Sequence, residues 1–154
     1  MTLLKDPAMT KPSPSEVRTQ MLTECESLRI ALDELARMAA HEPHKLVAGI
    51  VELRDRLRTY LRHEQELLLP ALEATEHGGP GRLARMRAAH AAHFMAVEEL
   101  ARAAVRPDAD LGKLAPVVAR LRSSLRRDLD DDERCLLVAE VLQDDASSTD
   151  QTDG

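Results

Sequence analysis

The chain has 154 residues and a formal charge of -6, with 44% hydrophobic and 31% charged residues. Its length suits one domain with its own core, and its acidic balance argues against a general nucleic-acid binder. No apolar run approaches the ~20 residues of a membrane span, and the two distant cysteines match no zinc spacing, so we expect a cytoplasmic protein.

The first predicted helix follows a short lead-in. Residues 1–12 lack apolar periodicity and are expected to be disordered, as is the acidic segment 144–154, which leaves 13–143 as the folded domain. Ser13 and Glu16 have the spacing of a capping box, and Pro43 should end the helix. The predicted inward face is Val17, Met21, Cys25, Leu28, Leu32, Leu35, Ala36 and Ala39.

The second helix should run from about His44 to Glu76, with a kink or a break at Pro70. Its apolar stripe is Ile50, Leu53, Leu57, Leu61, Leu68 and Leu72. Glu64 lies within this stripe, and Tyr60 precedes it by one turn on the same side. A carboxylate on a buried face is costly unless a positive or protic group meets it, so Glu64 predicts a polar partner in the core.

The third and fourth helices complete the pattern. The third should run from about Arg82 to Val105, with Leu83, Met86, His90, Phe94, Val97 and either Leu100 or Ala101 inward. The fourth should begin between Asp110 and Pro116 and end near Gln143. Its predicted stripe is Leu114, Val117, Leu121, Leu125, Asp128, Asp132, Cys135 and Ala139. Four amphipathic helices with short connections predict an all-α, up-down-up-down four-helix bundle.

Polar residues of all four helices should meet at one level of this bundle. In an antiparallel pair, residues equally far from the connecting turn lie side by side, which pairs Cys25 with Tyr60 and His90 with Asp128. Carboxylates, imidazole and phenolate suit iron or manganese better than structural zinc. The candidate metal ligands are Tyr60, Glu64, His90, Asp128 and Asp132, and the weaker candidates are Cys25, His63 and His93.

Structural interpretations of the same residues stay open. Glu64 can pair with an inward arginine such as Arg29, and Tyr60 and Cys25 can fill the core as ordinary buried side chains. His90 can be a core histidine whose ring nitrogens are bonded to its neighbours. The two aspartates of the fourth helix can lie at a locally wet face.

Two stretches of the sequence resemble metal-binding motifs of the hemerythrin family, in its broad form called the HHE cation-binding domain. They are Tyr60-Leu-Arg-His-Glu64, which continues to Pro70, and Asp128-Leu-Asp-Asp-Asp132, which precedes Glu133. The family has His-x-x-x-Glu motifs in the second and fourth helices. The resemblance covers about residues 16–143, where His90 matches the third-helix histidine and Cys25 stands at the position of the first-helix histidine.

The resemblance implies a hemerythrin-like bundle with a non-haem iron centre of one or two ions. Dioxygen, peroxide or nitric oxide would be its small ligands, and oxygen, peroxide or redox and iron sensing its role. Glu64 and His90 match the family pattern directly, and Asp132 is a shorter stand-in for glutamate.

Cys25, Tyr60 and Asp128 replace family histidines. This set fits either of two interpretations. One is a metal-free degenerate bundle that serves as a structural or interaction module. The other is an altered site that favours the oxidised metal, and therefore peroxide or redox chemistry over oxygen carriage. Peroxide consumption as an enzyme is a third possibility, for which no substrate site is evident.

Overall fold

The structure, a computed structural model, describes residues 11–75, 79–138 and 140–144. Within these ranges the chain contains helices and no strand, in the order α1 (Pro14–His41), α2 (Leu46–His63), α3 (Leu69–Glu73), α4 (Pro80–Ala104) and α5 (Ala115–Cys135). A π-helical turn, Glu64–Leu68, joins α2 to α3 in one rod. Both α1 and α4 pack on α2 and α5, which closes a ring of four rods. The prediction of an all-α four-helix bundle is confirmed.

The first helix begins and ends where local chemistry predicts. The Ser13 side chain accepts a hydrogen bond from the Glu16 N–H at 3.2 Å, and the Ser13 N–H donates to Glu16 Oε1 at 3.3 Å. This capping box satisfies two backbone donors that a helix start would otherwise leave unpaired. At the other end, α1 stops at His41, two residues before Pro43.

The π-helical turn replaces the kink expected at Pro70. Proline has no N–H to donate to the carbonyl four residues earlier. The hydrogen bond of the preceding residue already has the π-helical pattern, since the Leu69 N–H donates to the Glu64 carbonyl, five residues back. The widened turn buries both Glu64 and Leu68 and leaves Gln65 exposed. The irregularity therefore lies at the residue whose carboxylate enters the core.

The fourth predicted helix is wrong at its C-terminal end. Helix α5 ends at Cys135 instead of near Gln143, and the following segment turns back onto the core. Its buried residues are Leu136, Leu137, Val141 and Leu142. Arg18 on α1 donates to the Leu137 carbonyl at 2.9 Å, so burial and hydrogen bonding both favour this path over a longer helix.

The predicted stripe of this helix also needs correction. Val117 and Cys135 are exposed, whereas Val118 and Leu129 are buried. The buried positions are Val118, Leu121, Leu125, Leu129 and Asp132. They repeat at the 3.6-residue period of a helix. The predicted stripe is chosen to include Asp128, and it therefore contains positions outside the buried face of the helix.

Four sequence predictions fall outside the described residues in whole or in part. They concern the disordered segments 1–12 and 144–154, of which the structure describes only 11, 12 and 144, and the helix positions Glu76 and Ala139. For the described residues, no helix is long and apolar enough to cross a membrane.

The core should tolerate truncation poorly. Leu53 on α2 is fully buried, and Leu53→Ala removes apolar contacts and leaves a cavity, so we expect a loss of about 2–5 kcal/mol in the free energy of unfolding. Val51, two residues earlier, is 38% exposed, and Val51→Ala should change stability by less than about 0.5 kcal/mol. Urea denaturation of both variants measures the difference, and equal losses would contradict the packing described here.

Candidate metal centre

Three ionisable side chains lie inside the bundle. Glu64, His90 and Asp132 are 3%, 1% and 5% exposed, and among the described residues no other charged or histidine side chain is buried to this degree. They come from the π-helical turn, from α4 and from α5, so three rods contribute one polar group each. Groups of this kind are costly to bury unless they meet one another.

The imidazole of His90 joins the two carboxylates. Its Nδ1 bonds to Glu64 Oε2, and its Nε2 bonds to Asp132 Oδ2 at 2.7 Å. Tyr60 lies edge-on to the ring, with the ring centroids 5.5 Å apart, and its hydroxyl donates to the same Asp132 oxygen at 3.3 Å. The partner of Glu64 is thus a histidine from a neighbouring helix.

The alternative partner for Glu64, Arg29, lies in a separate ion-pair network. Its guanidinium contacts Glu133 Oε1 at 2.5 Å and Asp130 Oδ1 at 2.7 Å. All three side chains are at the surface or partly buried. The arginine is therefore not available to neutralise Glu64.

Asp128 and His93 lie at the edge of the same layer. Asp128 Oδ2 is 3.2 Å from His90 Nε2 and 3.4 Å from His93 Nδ1, yet neither contact is aligned as a hydrogen bond. Asp128 Oδ2 and His93 Nδ1 are both buried atoms without a hydrogen-bond partner among the described residues. On its other side, His93 Nε2 is 2.8 Å from the Ser124 hydroxyl.

Two of the weaker candidates have other partners. Cys25 is fully buried and its thiol donates to the Tyr60 hydroxyl at 3.8 Å; burial raises the pKa of the thiol to about 12, so it stays protonated. His63 Nδ1 bonds to Glu24 Oε1 at 2.7 Å on the flank of the bundle and has no contact with His90. Cys25 thus touches the layer through Tyr60, and His63 does not touch it.

The electrostatics of the layer favour a positively charged His90. Burial alone would lower its pKa, but the neighbouring carboxyl groups of Asp128, Asp132 and Glu64 outweigh burial and raise the pKa to about 12. Burial raises the pKa of Asp132, and the neighbouring carboxylates Asp128 and Glu64 add to this rise.

Asp128 and Tyr60 shift in opposite directions. Burial would raise the pKa of Asp128, but the rings of His90 and His93 lower it below the ordinary aspartate value. Burial raises the pKa of Tyr60 well above its ordinary value, with Cys25 and Asp132 adding to the rise. At neutral pH the tyrosine is therefore a phenol that donates a hydrogen bond to Asp132.

These residues fit a bound cation. One ligand atom each from His90, Asp128 and Asp132 lies within 4.8 Å of the others. The unpartnered Asp128 oxygen and His93 nitrogen lie 3.4 Å apart. Three carboxyl groups surround the single imidazole of His90. A set of oxygen donors with one or two imidazoles suits iron or manganese.

Ser124 also belongs to this environment, and it is not among the residues that the sequence analysis singled out. It lies one turn before Asp128 on α5, on the side that faces α4. A serine on a solvated helix face is common, so only its four-residue spacing from Asp128 could have identified it.

Comparison with known protein families agrees with the observed fold. A family model described as the hemerythrin HHE cation binding domain matches residues 18–138. No curated protein and no solved structure matches the chain.

The charged imidazole should make stability depend on pH. Folded His90 keeps a proton that an unfolded histidine loses above about pH 6.5, so raising the pH favours the unfolded chain. Between pH 6.5 and 8.5, the free energy of unfolding of chelator-treated protein should fall by up to about 1.4 kcal/mol per pH unit.

Urea denaturation across this pH range tests the dependence. His90→Gln should abolish the slope, whereas His44→Gln, which removes an exposed imidazole, should retain it. A slope that is the same in all three proteins would show that His90 does not hold this proton.

Proposed function

Since the chain belongs to the hemerythrin HHE cation-binding domain family, we propose that its polar layer binds a non-haem metal ion and that this ion is iron. The proposed ligands are Tyr60, Glu64, His90, Asp128 and Asp132. The observation that carries the proposal is the convergence of three carboxylates on one buried imidazole from a neighbouring helix.

Charge balance supports a cation at this place. A single imidazolium cannot neutralise three carboxylates, and the effective cost of leaving a charge uncompensated inside a protein is several kcal/mol. A divalent or trivalent ion would supply the missing positive charge, and its coordination would give the Asp128 oxygen the partner it lacks. Binding would require His90 to give up a proton, so metal affinity should rise with pH.

The residues around the proposed ligands have supporting roles. Tyr60 directs its hydroxyl at Asp132 and can hold that carboxylate in place or, after losing its proton, act as a fifth ligand. Leu68, one turn after Glu64, and Leu129, one turn before Asp132, are both fully buried. Glu64 and Asp132 anchor the layer from opposite sides of the His90 ring.

We propose a role in oxygen, peroxide or redox and iron sensing, with one or two ions. Iron in this family's fold would supply the binding or reduction of dioxygen, peroxide or nitric oxide. Anionic oxygen ligands stabilise ferric iron, so the ligand set favours peroxide or redox chemistry over reversible oxygen carriage.

A second function, a metal-free structural or interaction bundle, also has a supporting observation. Protonated His90 can donate one hydrogen bond to Glu64 and one to Asp132, so the centre of the layer is hydrogen-bonded by protein groups alone. In that case a proton on His90 would take the place of a metal. Metal analysis separates the two functions.

Iron content should depend on Asp132 and not on its neighbour. Protein expressed with added iron should contain near-stoichiometric metal, and Asp132→Asn should bind it at least about tenfold more weakly. Asp131→Asn is the matched control, because Asp131 is an exposed surface aspartate paired with Arg134. Equal iron in both variants, or none in the unaltered protein, would contradict the proposal.

Chelation should also lower the melting temperature. A metal present at 100 times its Kd stabilises the folded state by about 2.7 kcal/mol, so its removal should lower Tm by about 5–10 °C. Differential scanning calorimetry with and without chelator measures this change. The Asp132→Asn variant should respond at most about half as strongly, because tenfold weaker binding roughly halves this stabilisation. An unaltered protein that shows no response would favour the metal-free bundle.

The visible spectrum tests Tyr60 as a ligand. A ferric-phenolate bond gives a broad visible band, so iron-loaded protein should be coloured and Tyr60→Phe should lose the band while retaining its iron. Iron-loaded protein without such a band would restrict Tyr60 to its hydrogen bond with Asp132.

A further inference from the structure

His93 and Ser124 form a contact that the proposed ligand set does not use. We propose that Ser124 is a positioning residue, which holds His93 in the tautomer whose Nδ1 faces Asp128 and can join the metal ligands. This inference rests on the proposed function for the metal and on the described geometry for the serine.

The two histidines of α4 approach the same oxygen atom. His90 and His93 are three residues apart, so both project toward α5, and Asp128 Oδ2 lies 3.2 Å from one ring and 3.4 Å from the other. The His93 side chain is only 13% exposed. The edge of the layer thus contains a second imidazole nitrogen at a distance that a shared ion could bridge.

Ser124 determines which ring nitrogen of His93 carries the proton. Its hydroxyl is 2.8 Å from His93 Nε2, and as an acceptor it would keep the ring proton on Nε2. His93 Nδ1 would then carry a lone pair 3.4 Å from Asp128 Oδ2. Both atoms are buried and have no hydrogen-bond partner among the described residues, so both could contribute to binding a cation at the edge of the layer.

The opposite tautomer is less consistent with the geometry. It would place a proton on Nδ1, where Asp128 Oδ2 is the nearest acceptor, but that contact is long and not aligned as a hydrogen bond. In many metalloproteins a ligand histidine donates its second ring N–H to an oxygen that fixes the orientation of the ring. Ser124 occupies the position of that oxygen acceptor.

A nucleophilic role for Ser124 has less support, although serine, histidine and aspartate follow one another in space. Ser124 lies in the middle of α5, where backbone N–H groups are committed to the helix. No pair of free N–H donors therefore lies beside its hydroxyl to stabilise an oxyanion.

Variants at adjacent serines test the proposal. Ser124→Ala removes the acceptor, Ser124→Thr retains a hydroxyl, and Ser123→Ala is the matched control because Ser123 lines a surface groove with Arg122 and Arg126. The first readout is the tautomer of His93 in chelator-treated protein at pH 8, from the nitrogen chemical shifts of its ring. His93→Gln identifies the resonances.

His93 should carry the proton on Nε2 in the unaltered protein, in Ser123→Ala and in Ser124→Thr, whereas Ser124→Ala should shift to a mixture of tautomers.

The second readout is the Kd for Mn²⁺ by calorimetry, which Ser124→Ala should raise about tenfold. A proton on Nδ1 in the unaltered protein, or a Ser124→Ala variant with unchanged tautomer and Kd, would overturn the role of Ser124. Absence of Mn²⁺ and iron binding in the unaltered protein would instead overturn the proposed function, while the tautomer would still test the hydrogen bond.

Discussion

The pairing of His90 with Glu64 and Asp132 is the interaction on which the interior of this bundle depends. A carboxylate or an imidazolium transferred alone into a protein core loses hydration worth several kcal/mol, and each of these groups is tolerated because the others accompany it. The contacts join three of the four rods at one level. Removing His90 would leave the buried carboxylates without a positive partner, so the polar layer should specify how the rods align.

Under the proposed function, a metal ion would compete with a proton for this layer. The carboxylates raise the pKa of His90 to about 12, so a proton balances part of their charge when no metal does. A cation would have to displace that proton, and it would gain the Asp128 oxygen, which lacks a hydrogen-bond partner.

Two local irregularities place the buried acidic side chains. The π-helical turn before Pro70 widens α2 where Glu64 enters the core, and such turns recur at functional sites. On the other side, α5 ends three residues after Asp132, and the chain turns back to bury Leu136 and Leu137. Both irregularities replace a regular helix that would continue past the site, and both leave the acidic side chain facing inward.

The sequence by itself determined the bundle, its helix starts and the level of the polar layer. Apolar spacing, the Ser13 capping box and the positions of proline are local signals, and equal distances from a turn place residues of antiparallel helices side by side. Only the tertiary structure decided which groups pair. It paired Glu64 with His90 and not with Arg29. It also paired His63 with Glu24, outside the layer, and placed Ser124 within hydrogen-bond distance of His93. It also ended α5 early and exposed Val117 and Cys135. These outcomes depend on the rotation of each helix about its axis and on contacts between residues far apart in the chain, and the packing of all four rods fixes both together.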